Sequence, residues 1–78
     1  MNRDWAGSRY TTLPVSNNKD GYSGLELYIA SKDEKKRVAR ILFWDASGEF
    51  FFETFNTELP LNIVEELIAE AKTTVKIR

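Results

Sequence analysis

The chain has 78 residues, a formal net charge of -1 and 42% hydrophobic side chains, which is enough for one hydrophobic core and no second domain. It contains no Cys and no His, which excludes disulfides, thiolate and imidazole metal ligands, and the commonest catalytic bases. No apolar run approaches the roughly 18 residues that span a bilayer, and the first residues lack a signal peptide's apolar stretch. We therefore expect a soluble, cytoplasmic protein that binds no metal and has no membrane segment.

The first part of the chain is poor in apolar side chains. Residues 1–9 are predicted to form a flexible tail, followed by a single α+β domain over residues 10–78. The β-branched and aromatic residues at 10–15 favour a short strand. Because Pro14 has no N–H to donate to a ladder, this strand is expected at an edge of the sheet.

Three further strands are predicted over residues 24–30, 38–44 and 49–55. The first alternates Leu25, Leu27 and Ile29 with less apolar residues, as expected for a strand with one buried face. The charged stretch 31–37 that follows it is predicted to be a solvent loop. Since the connections are too short for parallel crossovers, the strands should form an antiparallel meander.

The register of the last hairpin follows from its turn and its charges. A four-residue loop from Asp45 to Gly48 would pair Trp44 with Glu49. Arg40 would then lie opposite Glu53, a favourable pair of opposite charges. One face of the hairpin holds Ala39, Ile41, Phe43, Phe50, Phe52 and Thr54. The other face holds Val38, Arg40, Leu42, Trp44, Glu49, Phe51, Glu53 and Phe55.

An amphipathic helix is predicted over residues 60–72, because Pro60 suits a first helical turn and apolar residues follow at helical spacing. The predicted buried face is Leu61, Val64, Leu67, Ile68 and Ala71, with Ile63 at its margin. The predicted solvent face is Asn62, Glu65, Glu66, Ala69 and Glu70. A short final strand is predicted over residues 73–77. The helix is expected to cover the more apolar face of the hairpin.

No motif for catalysis or cofactor binding is present. The chain has no Gly-x-Ser-x-Gly or Ser-x-x-Lys motif, and its four glycines do not form a phosphate-binding loop. We therefore predict a non-enzymatic domain with no catalytic residue and no cofactor. The order β-β-β-α is shared by many unrelated domains and indicates no function by itself.

One helix can cover only one face of the sheet, and the second face is also rich in apolar residues. Val38 would be uncovered there, together with four residues that we predict to form an interface: Leu42, Trp44, Phe51 and Phe55. Such patches commonly mark interfaces, so the sequence favours a protein-interaction domain that forms a homodimer or binds a protein partner through this face or a strand edge. In the competing interpretation, the N-terminal segment folds back over this face through Trp5, Tyr10 and Leu13.

A single-stranded nucleic-acid binder is the alternative function. Residues 1–40 carry a formal charge of +3 and residues 41–78 carry -4. Much of the positive excess is Lys35, Lys36, Arg37 and Arg40, close in sequence to aromatic residues on which bases could stack. Against this alternative, Glu49 and Glu53 share the predicted aromatic face, and the whole chain is slightly acidic.

Overall fold

The computed structural model describes residues 1–55 and 57–74 and confirms the predicted meander with a C-terminal helix. Within these ranges, five antiparallel strands lie in chain order across one sheet, and one helix packs on it. The strands are β1 (Asn2–Trp5), β2 (Ser8–Asn17), β3 (Tyr22–Ser31), β4 (Glu34–Trp44) and β5 (Glu49–Thr54), and the helix α1 is Leu61–Thr74. The outermost strands, β1 and β5, form the two edges of the sheet.

The tail predicted over residues 1–9 is corrected by the structure. Asn2–Trp5 forms β1 and pairs with the first residues of β2. The two strands are joined by Ala6 and Gly7, whose φ angles of 49° and 83° are typical of a type I′ hairpin turn. Alanine rarely adopts a positive φ, so Ala6-Gly7 lacks the Asn-Gly or Asp-Gly pattern that usually indicates such a turn.

The strand predicted over residues 10–15 is present within the longer β2, but it lies between β1 and β3 instead of at an edge. The ladder with β1 ends where the Thr12 N–H donates to the Met1 carbonyl, at 3.1 Å. Pro14 lies beyond this point, on the part of β2 that β1 does not reach. The β1–β2 ladder therefore loses no hydrogen bond through the N–H that Pro14 lacks.

The solvent loop predicted over residues 31–37 is mostly strand. β3 and β4 are joined by the two residues Lys32 and Asp33, and Glu34–Arg37 pairs with Tyr28–Ser31. Hydrophobic alternation is absent there because the β4 side chains are exposed on both faces. Apolar periodicity therefore could not indicate that the strand starts at Glu34.

A β-bulge interrupts the β3–β4 ladder. Leu27 lies opposite Ala39 and Tyr28 lies opposite Arg37, so Val38 is the extra residue. Val38 and Ala39 are both fully buried, although strict alternation would place them on opposite faces. Beyond the bulge, β4 and β5 pair Trp44 with Glu49 and Arg40 with Glu53, and the predicted register is confirmed.

Helix α1 covers the middle of the sheet. Its fully buried side chains are Ile63, Leu67 and Ala71, which pack with a cluster of strand residues: Tyr10, Leu25, Leu27, Val38, Ala39 and Ile41. The helix is rotated relative to the predicted orientation: Ile63 is fully buried in the contact with the sheet, whereas Leu61 is 73% exposed. The helix continues through Thr74, so the strand predicted over residues 73–77 is wrong at its first two residues, and its remainder lies outside the described residues.

The carboxylates predicted on the solvent face of α1 include two that hold the N-terminal strands. Glu66 forms an ion pair with Arg3 of β1, and Glu70 accepts a 2.7 Å hydrogen bond from the Thr12 hydroxyl of β2. Both carboxylates are only partly exposed. No helix in the described part of the chain is both long and apolar enough to cross a membrane.

Candidate functional site

The face of the sheet that points away from α1 is here called the open face, and among the described residues only its own side chains cover it. Because side chains alternate along each strand, the register places seven large apolar or aromatic residues there: Leu13, Val15, Tyr22, Tyr28, Leu42, Trp44 and Phe51. All five strands lie within the sheet, and the α1 residues of the core cluster pack on its other face. Residues 1–55 and 57–74 therefore provide no second layer over the open face.

The N-terminal segment does not fold back over the open face. Trp5 ends β1 at the far edge of the sheet, and Tyr10 is buried in the cluster under α1. Leu13 does lie on the open face, but as a residue of β2 within the sheet, and it is 43% exposed. The segment extends the sheet sideways, so the competing interpretation of the sequence is corrected.

The residues predicted as an interface differ in accessibility. Leu42 is only 4% exposed, because neighbours on its own face cover it, and Val38 is buried through the bulge; neither is the accessible residue that the sequence predicted. Trp44 is half-buried, with its ring centroid 5.0 Å from that of Tyr22. Phe55 is half-buried as well, whereas Phe51 is 52% exposed.

The outer edge at β5 is aromatic on both faces of the sheet. Phe51 lies on the open face, and Phe52, on the α1 side, is 45% exposed. A groove of about 330 Å³ beside the strand is lined by Arg40, Leu42, Trp44, Phe51, Phe52 and Glu53. A second groove of about 200 Å³ is lined by Ile41, Phe50, Phe51, Phe52, Ile68 and Lys72. The sequence missed Phe52, because periodicity indicates the face of a side chain but not how far the helix reaches.

A network of charges crosses the open face beside these aromatics. Arg37 Nη1 lies 2.6 Å from Glu26 Oε2, and the Tyr28 hydroxyl donates to Glu26 Oε1 at 3.0 Å. The hydrogen bonds to Glu26 raise the pKa of both Arg37 and Tyr28 above their ordinary values. Arg40 Nε lies 2.7 Å from Glu53 Oε1. Each guanidinium group in this network therefore already has a carboxylate partner.

The same two arginines stack on Phe55. The guanidinium carbon of Arg37 is 4.6 Å from the centre of the Phe55 ring, and that of Arg40 is 5.8 Å away. Of the four residues predicted for nucleic-acid binding, Lys35 lies over the Tyr28 ring at 5.0 Å. Lys36 pairs with Ile29, whose side chain packs against the core under α1. The structure therefore places Lys36 on the opposite face from Arg37 and Arg40.

The chemistry available on these surfaces is apolar burial, ion pairing and backbone hydrogen bonding at a strand edge. Across the described ranges 1–55 and 57–74, no three acidic side chains converge as metal ligands would. Comparison with protein-family models gives no match, and searches of curated proteins and of solved structures give none either.

Proposed function

We propose that this chain is a small protein-interaction domain that associates with itself through the aromatic surface around β5. The observation that carries the proposal is the exposure of Phe51 and Phe52 on the two faces of an edge strand, at 52% and 45%. An exposed, flat, hydrophobic edge strand readily pairs with another chain. Large aromatic side chains are also the commonest anchors of protein interfaces.

The neighbourhood of Phe51 supports the same proposal. Apolar Leu42 and Trp44 line the groove beside it, together with the charged Arg40 and Glu53. Stable interfaces commonly combine an apolar centre with a polar rim in this way. Burying the Phe51 ring against a second molecule would remove apolar surface from water at about 25 cal/mol per Å².

Phe51→Thr tests the proposal. Threonine keeps the β-propensity of the position, and Phe51 contributes little to the core because it is half-exposed. We expect the dissociation constant of the assembly to rise about tenfold or more, while the free energy of unfolding falls by no more than about 1 kcal/mol. Light scattering across a range of concentrations gives the first quantity, and urea unfolding at low concentration gives the second.

Trp5→Thr is the matched control. Trp5 is an aromatic residue of similar exposure, at 39%, on β1 at the opposite edge of the sheet. Its loss should leave the dissociation constant unchanged within about twofold. Equal weakening by Trp5→Thr and Phe51→Thr would contradict an interface at β5, as would a Phe51→Thr variant that associates like the unsubstituted chain.

Binding of single-stranded nucleic acid is the second candidate, and it is supported by the cations that lie over Tyr28 and Phe55. We rank it second because Arg37 and Arg40 are paired with carboxylates and cover the Phe55 ring that a base would need. We expect no change in the fluorescence anisotropy of short labelled strands at low salt. A salt-dependent rise that Lys35→Ala weakens would instead favour nucleic-acid binding.

A further inference from the structure

We propose that the second copy adds its own β5 antiparallel to β5, with a two-fold axis through Phe52 that joins the two sheets edge to edge. This inference rests on the proposed self-association and specifies its geometry. It specifies which backbone groups of β5 pair with the second copy and in which register, neither of which the aromatic surface alone defines. The partner is a second copy of this chain.

The outer edge of β5 carries backbone groups that β4 does not use. The Phe55 N–H donates to the Val38 carbonyl of β4 at 3.0 Å. Because residues along an antiparallel strand alternate in the direction of their N–H and C=O groups, Glu53 and Phe51 also point toward β4. Phe50, Phe52 and Thr54 therefore direct both groups outward, where a second strand would bind them.

The opposite edge of the sheet is less suited to pairing. β1 is only four residues long, and the part of β2 beyond it contains Pro14, which cannot donate a hydrogen bond. Short edge strands and edge prolines are features that prevent association between sheets. β5 contains no proline and pairs with β4 in unbroken register. Its open edge is therefore the one built to accept another strand.

Symmetry restricts the register. Opposed residues of an antiparallel pair point to the same face of the sheet, whereas neighbouring residues of β5 point to opposite faces. One residue of β5 must therefore lie opposite its own counterpart across the two-fold axis, and we name the axis after that residue. An axis through Phe51 would set Glu49 opposite Glu53, a pair of like charges that destabilises a ladder. An axis through Phe52 pairs Phe50 with Thr54 of the second copy and Phe52 with its own counterpart. This register uses every outward-pointing residue.

The charges fit the Phe52 register as well. Glu49 makes no ion pair within the described residues, and in this register it lies opposite Phe55 of the second copy. Arg37 and Arg40 lie 4.6 and 5.8 Å from that ring. The free carboxylate of each copy thus meets the paired guanidinium groups of the other. This complementarity is the reason to choose a second copy as the occupant.

Amide hydrogen exchange of the unsubstituted chain tests the edge pairing directly. We expect the amides of Phe50, Phe52 and Thr54 to exchange about tenfold more slowly when nine-tenths of the chains are associated than at low concentration. The amide of Lys19, in an exposed turn, should not change. If the mass doubles while these three amides keep exchanging fast, the two copies associate without pairing their β5 edges. The edge inference then fails, while association through the aromatic side chains around β5 stands.

Thr54→Pro provides a second, independent test. It removes an N–H that points away from β4 and has no backbone acceptor within residues 1–55 and 57–74, so the ladder with β4 is left intact. We expect the dissociation constant to rise about tenfold or more, because the two-fold symmetry removes the same backbone hydrogen bond twice. Thr54→Val keeps the N–H and should associate normally. Unchanged association of a folded Thr54→Pro chain would overturn the inference.

Single cysteines test the register, since the chain has none of its own. Residues at a two-fold axis in a hydrogen-bonded pair have Cα atoms about 5.5 Å apart, within the range that a disulfide spans. Phe52→Cys is expected to give a covalent dimer on mild oxidation, and Phe51→Cys to give at least about tenfold less in the same time. A disulfide that forms preferentially at position 51 would contradict the Phe52 register.

Discussion

Gly24→Ala is expected to lower the free energy of unfolding by about 3 kcal/mol or more. Gly24 lies in β3 opposite Leu42 of β4. A Cβ atom at this position would overlap the carbonyl oxygen of Ile41 and lie 2.9 Å from the Leu42 Cα. These are backbone atoms of the adjacent strand, so no side-chain rotation relieves the clash. Strands β3 and β4 would have to separate at the centre of the sheet.

The loss is large relative to the total free energy of unfolding, which is expected to be roughly 4–12 kcal/mol for a domain of this length. Urea unfolding followed by circular dichroism measures it. Gly48→Ala is the matched control: Gly48 has open space around it and a φ of 67°, so alanine there should cost only about 1–2 kcal/mol of backbone strain. A Gly24→Ala variant as stable as Gly48→Ala would contradict the close approach of the two strands.

Leu67→Ala is expected to have the second large effect, a loss of about 2–5 kcal/mol in the free energy of unfolding. Leu67 is completely buried at the centre of the contact between α1 and the sheet. Truncation removes apolar surface and leaves a cavity beneath the helix that covers this face. The same urea experiment measures the change.

Leu61→Ala removes the same atoms from the same helix and serves as the control. Leu61 is 73% exposed, so its truncation should change the free energy of unfolding by no more than about 0.5 kcal/mol. The pair also tests the orientation of α1, because the sequence pattern placed both leucines on the buried face. Equal losses in the two variants would show that the helix is rotated from the orientation described above.

The hairpin of β4 and β5 was predictable because two independent signals agreed. Its loop length set Trp44 opposite Glu49, and the charges of Arg40 and Glu53 favoured the same register. The orientation of α1 was less predictable, because its apolar residues occupy more of its circumference than the sheet covers. Helical spacing therefore could not distinguish Ile63 from Leu61 as the residue at the centre.

Strand β1 was missed because the contacts that hold it are not hydrophobic. β1 contains a single large apolar residue, Trp5, and is held by pairing with β2 and by the ion pair of Arg3 with Glu66. Such contacts join residues far apart in sequence, and no local pattern indicates them. The role of Glu66 was not predictable either, because a glutamate on a helix ordinarily indicates a solvent-exposed face.

The candidate site was predictable only in part. Alternation correctly put Trp44 and Phe51 together on the face away from the helix. It could not show that Leu42 is covered by its neighbours, or that Phe52 is exposed where α1 ends its cover. The cover of Leu42 depends on its cross-strand neighbours, and the exposure of Phe52 depends on the width of the sheet relative to a single helix. Both are properties of the assembled fold.

Sedimentation equilibrium of the unsubstituted chain, across a roughly hundredfold range of concentration, tests the self-association most directly. We predict a mass that rises with concentration from the chain mass of 9.0 kDa to twice that value. A mass that stays at the monomer value over the whole range would contradict self-association through β5, and the edge pairing would fail with it.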